Sequence, residues 1–121
     1  MESTEMIKQL LLTFFPEEIV NHFEVSDIRR TSVYIEIHFR ELPELVPDTL
    51  SALDDVILDG FCNPLELQSF PLNGMPVYLK LHRRRWKSKG SGKHHSNSYD
   101  LNPEGVKATK EFASFLKGAF G

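Results

Sequence analysis

The dipeptide Asn73-Gly74, which stands between two apolar runs, places the strongest constraint on how this chain folds. The runs are Leu65 to Leu72 and Met75 to Trp86. Asn-Gly favours a tight turn with two successive positive φ angles, and such a turn joins antiparallel strands. The core-facing residues of the second arm are predicted by alternation to be Val77, Leu79 and Leu81. Pro71 beside the turn predicts that the first arm is an edge strand.

The opposite face of the second arm is predicted to be cationic and aromatic, and it carries Tyr78, Lys80, His82, Arg84 and Trp86. Residues 71–99 contain seven Lys or Arg and three His without any Asp or Glu. Residues 1–70 hold 4 basic and 14 acidic side chains, net −10, and residues 71–121 hold 10 basic and 3 acidic, net +7. The pattern predicts a surface for a polyanion that is confined to one face of the molecule.

A second hairpin is predicted earlier in the chain. Residues 33–40 alternate strictly, with Val33, Ile35, Ile37 and Phe39 on one face. This alternation is typical of a half-buried strand. Its predicted partner strand is Phe23 to Ile28, with a turn through Arg29 and Arg30.

Helices are predicted at both ends of the chain. The apolar spacing of Met6, Ile7, Leu10, Leu11 and Phe14 indicates a first helix with Ser3 or Thr4 as its cap, ending at Phe15-Pro16. A short helical turn, Glu17 to His22, follows with Ile19, Val20 and Phe23 inward. Asn102-Pro103-Glu104 predicts the start of the last helix. Its apolar residues are Val106, Phe112, Ala113, Phe115, Leu116 and Phe120.

Two segments have weaker patterns. Residues 41–64 read as an acidic linker with one possible short helix. That helix would place Leu50, Leu53, Val56 and Ile57 on one face and Gly60 just past its end. Lys87 to Ser98 is rich in Gly, Ser, Lys and His, which predicts a flexible basic loop.

We therefore expect an α+β fold: an N-terminal helix, a small antiparallel sheet built from two hairpins, and a C-terminal helix. A chain of 121 residues with 40% hydrophobic content suits one domain. The expected parts of this domain are residues 1–60 (helix, hairpin and acidic linker), 61–99 (basic hairpin and loop) and 100–121 (C-terminal helix).

The N-terminus has no basic leader, and Lys8 and Gln9 interrupt its apolar stretch. It therefore fails the tests for a signal peptide and for a membrane span, and a cytoplasmic protein without membrane contact is expected. Cys62 is the one cysteine, so no internal disulfide can form, and we interpret it as a packing residue.

The residues that could form a metal or catalytic site have simpler structural explanations. His82, His94 and His95 lack a Cys or carboxylate at the usual spacing for a metal site. Asp54, Asp55 and Asp59 could form a carboxylate triad, but the four-residue spacing of Asp55 and Asp59 is explained by the solvent-facing side of the possible short helix. No GxxxxGK[ST], GxSxG, HExxH or paired CxxC motif occurs. We expect no catalytic residue, no metal, no cofactor and no enzyme activity.

A family resemblance lies in the segment Phe70–Trp86, FPLNGMPVYLKLHRRRW. It resembles the FPxxGxxVxLxxxRRRW-like stretch in the N-terminal regions of bacterial insertion-sequence transposases of the ISAon1 group, which are related to the ISL3 transposases. The resemblance continues through Ser96–Leu101 and Gly105–Phe112, and it covers roughly residues 60–118. Residues 1–60 match only in general layout.

The resemblance implies a transposition protein of a mobile element. In ISL3-like transposases the comparable hairpin belongs to a small zinc-binding module that helps recognise the terminal repeats. Here Lys87 to Lys93 contains no cysteine and Cys62 stands alone. We therefore expect the hairpin to be held by apolar side chains instead of zinc, namely Leu65, Leu67, Val77, Leu79 and Leu81. The catalytic DDE domain of the family is absent from these 121 residues.

Together these features predict a non-catalytic, DNA-binding N-terminal module of a transposase. The expected partners are duplex DNA at the element ends and a separate catalytic transposase subunit. The residues expected to contact phosphates are Lys80, Arg83, Arg84, Arg85, Lys87, Lys89 and Lys93. Trp86 is expected to support them by stacking or by packing.

Two rival functions stay open from the sequence. The acidic first half and the apolar C-terminal helix would also suit a protein-interaction module that docks on a catalytic transposase subunit. A cationic sheet face with Tyr78 and Trp86 would suit a module that binds single-stranded RNA by base stacking.

Overall fold

The structure is a computed structural model, and it describes residues 2–50 and 55–120. The helices are α1 (Ser3–Phe14), α2 (Glu17–His22) and α3 (Lys110–Phe120). The strands are β1 (Phe23–Arg30), β2 (Ile35–Glu41), β3 (Val56–Phe61), β4 (Leu65–Leu72), β5 (Met75–His82), β6 (Arg84–Ser88) and β7 (His94–His95). The predicted α+β class, with a helix at each end and hairpins between them, is confirmed.

The larger sheet joins both predicted hairpins in the order β1-β2-β5-β4. Strands β4 and β5 are antiparallel, and the turn between them has φ of 51° at Asn73 and 73° at Gly74. These are the two positive angles that the Asn-Gly signal requires. The hairpins meet through a parallel pairing of β2 with β5, which the sequence did not indicate. Strand β4 lies at the edge, as Pro71 predicted.

The first hairpin turns later than expected. Arg29 and Arg30 both belong to β1, and the turn runs from Thr31 to Tyr34. Thr31 determines this position because its hydroxyl accepts hydrogen bonds from the backbone N–H groups of Val33 (3.1 Å) and Tyr34 (3.0 Å). Val33, which was expected on the core face, is 68% exposed.

One face of the larger sheet forms the hydrophobic core. The side chains on this face are almost fully buried, namely Phe39, Val77, Leu79 and Leu81, and Ile19 from α2 is buried with them. The Phe15 ring meets the Phe39 ring edge-on with 5.4 Å between centroids. The inward positions predicted for β5 and α2 are therefore confirmed. The cap of α1 differs from the prediction, because Glu2 takes this position and its side chain accepts no backbone N–H.

A second sheet, in the order β3-β6-β7, replaces two features predicted from sequence. Val56 and Ile57 lie in strand β3, so the helix predicted across them is wrong; Leu53 lies outside the described residues. The predicted flexible loop contains the end of β6 and the short strand β7, with a turn in which Gly92 has φ of 71°. The run from Met75 to Trp86 also divides at Arg83, because β6 leaves the first sheet to pair with β3.

The C-terminal helix begins at Lys110, eight residues after the predicted cap Asn102. Backbone bonds hold the intervening segment extended along the edge of β4, from Gln68 N–H to Lys107 O and from Thr109 N–H to Gln68 O (both 3.0 Å). Thr109 caps the helix because its hydroxyl accepts the N–H of Phe112 at 3.2 Å. Asn102 instead closes a turn by donating to Val106 O at 2.7 Å.

The two sheets are joined at Glu41, the last residue of β2, whose side chain is 0% exposed. Its carboxylate accepts the backbone N–H of Arg84 (2.9 Å) and the amide of Asn97 (3.1 Å). It also accepts the Tyr99 hydroxyl. The Arg84 Nε donates to the backbone oxygen of Glu41 at 2.8 Å. One acidic residue therefore fixes β2, β6 and the segment before α3 together.

We predict that Glu41→Gln lowers the free energy of unfolding by about 1–3 kcal/mol. The amide NH₂ group of Gln replaces one carboxylate oxygen, so at least one of the donors to Glu41 loses its acceptor. Urea denaturation measures the change. Glu24→Gln is the matched control, since Glu24 and its partner Arg40 are both about half exposed (47%), and it should change stability by less than about 0.5 kcal/mol. Equal losses in the two variants would contradict the role of Glu41.

We also predict an alkaline loss of stability that depends on Tyr99. Burial, followed by the hydrogen bond and the charge of Glu41, raises the pKa of Tyr99 above its ordinary 10.0. The contribution of Tyr99 is therefore complete below pH 10.0 and is lost as the pH rises above it. Unfolding free energies measured against pH should fall less steeply there in Tyr99→Phe than in the wild type. Tyr34→Phe is the control, and parallel curves for all three proteins would refute the effect.

Candidate nucleic-acid interface

Strand β6 divides the basic run between two faces of the second sheet. Arg84 and Ser88 are buried on one face, whereas Arg85 is exposed on the other. Alternation places Lys87 on the face of Arg85, and Lys87 pairs with Ile57 of β3 and with His94 of β7. This surface, which we call the basic face, consists of the exposed residues Arg85, His94, Lys89 and Lys93 and of Lys87, which is half-buried.

Asp59 is the acidic centre of the basic face. Its carboxylate lies 2.6 Å from the Nε2 atom of His94 and 3.6 Å from the nearest guanidinium nitrogen of Arg85. The Arg85 Nε also donates to the backbone oxygen of Asp59 at 2.9 Å. The hydrogen bond from His94, followed by the charges of Arg85, His94 and Lys87, lowers the pKa of Asp59. The carboxylate therefore remains ionised and orients both side chains.

The basic face keeps a surplus of positive charge. In the part of the chain that the structure describes, neither Lys87 nor Lys93 makes an ion pair. Lys89 lies 3.4 Å from Asp55, and because both side chains are more than half exposed this pair contributes little. Lys87 and Lys93 are thus available to a polyanion. Arg85 and Lys89 add to their charge, because their carboxylate partners neutralise them only in part.

Two of the three consecutive arginines hold parts of the fold together through hydrogen bonds instead of lying on the basic face. Arg84 was expected on the outer face, but it is 9% exposed because Glu41 binds its Nε and backbone N–H, and its guanidinium lies over the Phe61 ring at 5.3 Å. Arg83 is half-buried and donates to Asn97 O at 3.1 Å. Only Arg85 presents its guanidinium on the basic face.

Trp86 lies on the side of β6 that carries Arg84. It is half-buried, and its indole Nε1 is shielded from solvent without a partner among the described residues. Strand pairing places it between Leu58 and His95. Trp86 therefore packs within the second sheet, and a stacking role for it stays a prediction.

Lys80 belongs to the other sheet and is separated from the basic face. Its ammonium group forms an ion pair with Glu66 on the neighbouring strand β4. The two residues are fourteen positions apart, so the sequence did not indicate this pair. The uncovered face of the larger sheet also carries Tyr34 and Tyr78, whose ring centroids are 6.0 Å apart. These two rings border a shallow depression of about 370 Å³.

The charges of this uncovered face are paired among themselves. Arg29 binds Asp27 at 3.2 Å, Arg40 binds Glu24 at 3.3 Å, and Glu36 binds His38 at 2.6 Å. His82 stacks on His38, and burial, with the charges of His38 and Lys80, lowers the pKa of His82. The imidazole of His82 is therefore uncharged at neutral pH. Lys107 also lines the depression, and its charge, after the hydrogen bond from Lys80, helps to lower the pKa of Glu66. In the part of the chain that the structure describes, the uncovered face therefore carries acidic and basic groups in balance, unlike the basic face.

No set of three or more His, Cys, Asp and Glu residues in the described ranges 2–50 and 55–120 has the geometry of a metal site. Within the same ranges, no helix has the length and hydropathy of a membrane span. Comparison of the chain with protein-family models, curated proteins and solved structures gives no match.

We predict that His94→Ala raises the pKa of Asp59 towards its ordinary 3.8, because the largest cause of the depressed value is removed. Arg85→Gln should raise it by a smaller amount. NMR titration of the side-chain carboxyl carbon measures both changes. His95→Ala is the control, since the His95 ring lies 2.9 Å from the Thr49 hydroxyl instead. A larger shift in His95→Ala than in His94→Ala would exclude the proposed centre.

Proposed function

We propose that this protein binds duplex DNA through the basic face, as a non-catalytic N-terminal module of a transposase. The observation that carries the proposal is a cluster of cations on one sheet surface. Within the ranges 2–50 and 55–120, Lys87 and Lys93 make no ion pair, and Arg85 lies on the same face of β6 as Lys87. Phosphates attract such clusters, and binding releases the counterions that surround DNA. Lys89 and His94 extend the same surface.

The sorting of charge and aromatic groups favours duplex over single-stranded partners. A surface for single strands combines a positive groove with aromatic rings on which bases stack. Here Tyr34 and Tyr78 lie on the charge-paired face of the larger sheet, and Trp86 is half-buried. Cations without exposed rings suit the phosphate backbone of a duplex, which fixes register and orientation.

The transposase assignment is supported by the resemblance of Phe70–Trp86 to N-terminal regions of the ISAon1 group. In this proposal the shared RRRW sequence has mainly an architectural role, because Arg84 binds Glu41 and Trp86 packs inside the second sheet. The lysines that follow it make the phosphate contacts. Strand transfer is left to a separate catalytic subunit, which we propose as the protein partner.

The decisive experiment measures fluorescence anisotropy of labelled duplex DNA against protein concentration and salt. Lys87→Gln/Lys93→Gln should weaken binding and reduce the slope of log affinity against log salt by about one unit per lysine. Asp59→Asn should act in the opposite direction, since it removes the carboxylate that lies between His94 and Arg85. Single-stranded DNA and RNA of equal length should bind less tightly than the duplex.

The matched control is Lys8→Gln/Lys117→Gln, which removes two exposed lysines from α1 and α3 and leaves the net charge equal to that of the test variant. This control should retain wild-type affinity and salt slope. Equal losses in both double variants would mean that charge acts without a defined surface, and the proposal would fail. Tightest binding to single-stranded RNA would favour the rival function.

A further inference from the structure

Helix α1 presents an apolar stripe that nothing in the described chain covers. No residue of α1 is buried, and Met6, Ile7, Leu10 and Phe14 are each 45–59% exposed. The side of the helix nearest to the core contributes only Leu11 and Leu12, which are half-buried. A surface helix of a globular protein normally turns its apolar stripe inward. Here the stripe is solvent-exposed.

The exposed surface continues beyond the helix. Phe14 and Phe70 line one cleft of about 180 Å³, and the Phe70 ring lies 5.5 Å from the exposed ring of Phe115 in α3. Five large side chains with roughly 100 Å² exposed on each give a patch of about 500 Å², near the upper end of what monomers present. We call this surface, Met6, Ile7, Leu10, Phe14 and Phe115, the α1 patch.

The spacing along α1 indicates what covers the α1 patch. Ser3, Ile7, Leu10 and Phe14 are separated by four, three and four residues, which is the heptad spacing of a helix–helix seam. Ile and Leu at the alternating positions of such a seam favour two-stranded pairing of like helices. Glu5 and Lys8 lie outside the seam, so no charge on it opposes a second copy.

The stability of α1 leads to the same conclusion. The helix has twelve residues, no side-chain hydrogen bond at its N-cap and no buried side chain. Isolated helices of this length are marginal in water, and most of their stability in proteins comes from packing of the apolar face. A partner on the stripe supplies that packing.

We propose that α1 pairs with α1 of a second copy of this chain, so that two α1 patches bury each other. Two such patches remove about 1,000 Å² of surface from water, which is near the lower limit for a specific interface. The dimer is therefore expected to be weak and concentration-dependent. It requires no nucleic acid, so its test is independent of the proposed function.

The test is sedimentation equilibrium of the full chain without DNA, over a wide range of protein concentration. The wild type should pass from one-chain to two-chain mass as the concentration rises. Ile7→Ala/Leu10→Ala should remain at one-chain mass throughout. Alanine is chosen because it favours helix, so loss of the dimer reports lost packing and not a lower helix propensity. Far-UV circular dichroism of the wild type should show helix content falling on dilution.

Ile28→Ala/Val33→Ala is the matched control, because these residues are 55% and 68% exposed on the first hairpin, away from α1. It should dimerise like the wild type. A wild-type chain that stays at one-chain mass at every concentration would overturn the proposal, as expected if only a catalytic subunit covers the patch. A dimer that survives Ile7→Ala/Leu10→Ala would overturn it as well.

Discussion

The buried carboxylate of Glu41 is the interaction on which the rest of the structure depends. Taking a carboxylate out of water is costly unless donors satisfy its oxygens, and here Arg84, Asn97 and Tyr99 all donate to it. These donors come from two separate parts of the chain, β6 and the segment before α3. The carboxylate is therefore satisfied only when both have assembled on β2. The second sheet, which has a small apolar content of its own, thereby acquires a fixed position on the first.

The position of the second sheet determines how charge is distributed. On the larger sheet, cross-strand neighbours such as Lys80 and Glu66 neutralise each other, so the acidic and basic halves of the sequence cancel there. On the second sheet, among the residues that the structure describes, Asp59 and the exposed Asp55 face the larger number of cations on the basic side of β6. The dipolar character that the sequence shows along its length thus becomes, in the folded chain, a contrast between a balanced surface and a cationic one.

Much of the larger sheet was predictable because its signals are local. The Asn73-Gly74 turn, the alternation of Ile35, Ile37 and Phe39, and the break at Pro16 each depend on a few adjacent residues.

Features that depend on distant partners were missed. Glu41 continues the alternation onto the core face, which was a detectable signal, but its donors lie more than forty residues away. Likewise, the sequence of β3 resembled a helix because its partner strand β6 is distant in sequence. Asn102 resembled a helix cap because no local sequence signal indicates that residues 107–109 form backbone hydrogen bonds with the edge of β4. Within the site, alternation continued from β5 put Arg84 and Trp86 on the outer face. In the structure Glu41 binds Arg84, and Arg85 and Lys87 lie on the opposite face of β6.

The parallel pairing of β2 with β5 has a consequence for how the chain reaches this structure. Each hairpin closes within about twenty residues, but the register Ile35 opposite Val77 joins positions 42 apart. Contacts of such separation slow folding, since chain entropy is lost before the contact is gained. Docking of two preformed hairpins is therefore expected to limit the folding rate. The cost of closing the intervening segment grows only slowly with its length, so the part of it that precedes β3 can change in length at little cost. A one-residue change within a regularly paired part of a hairpin arm reverses its apolar face.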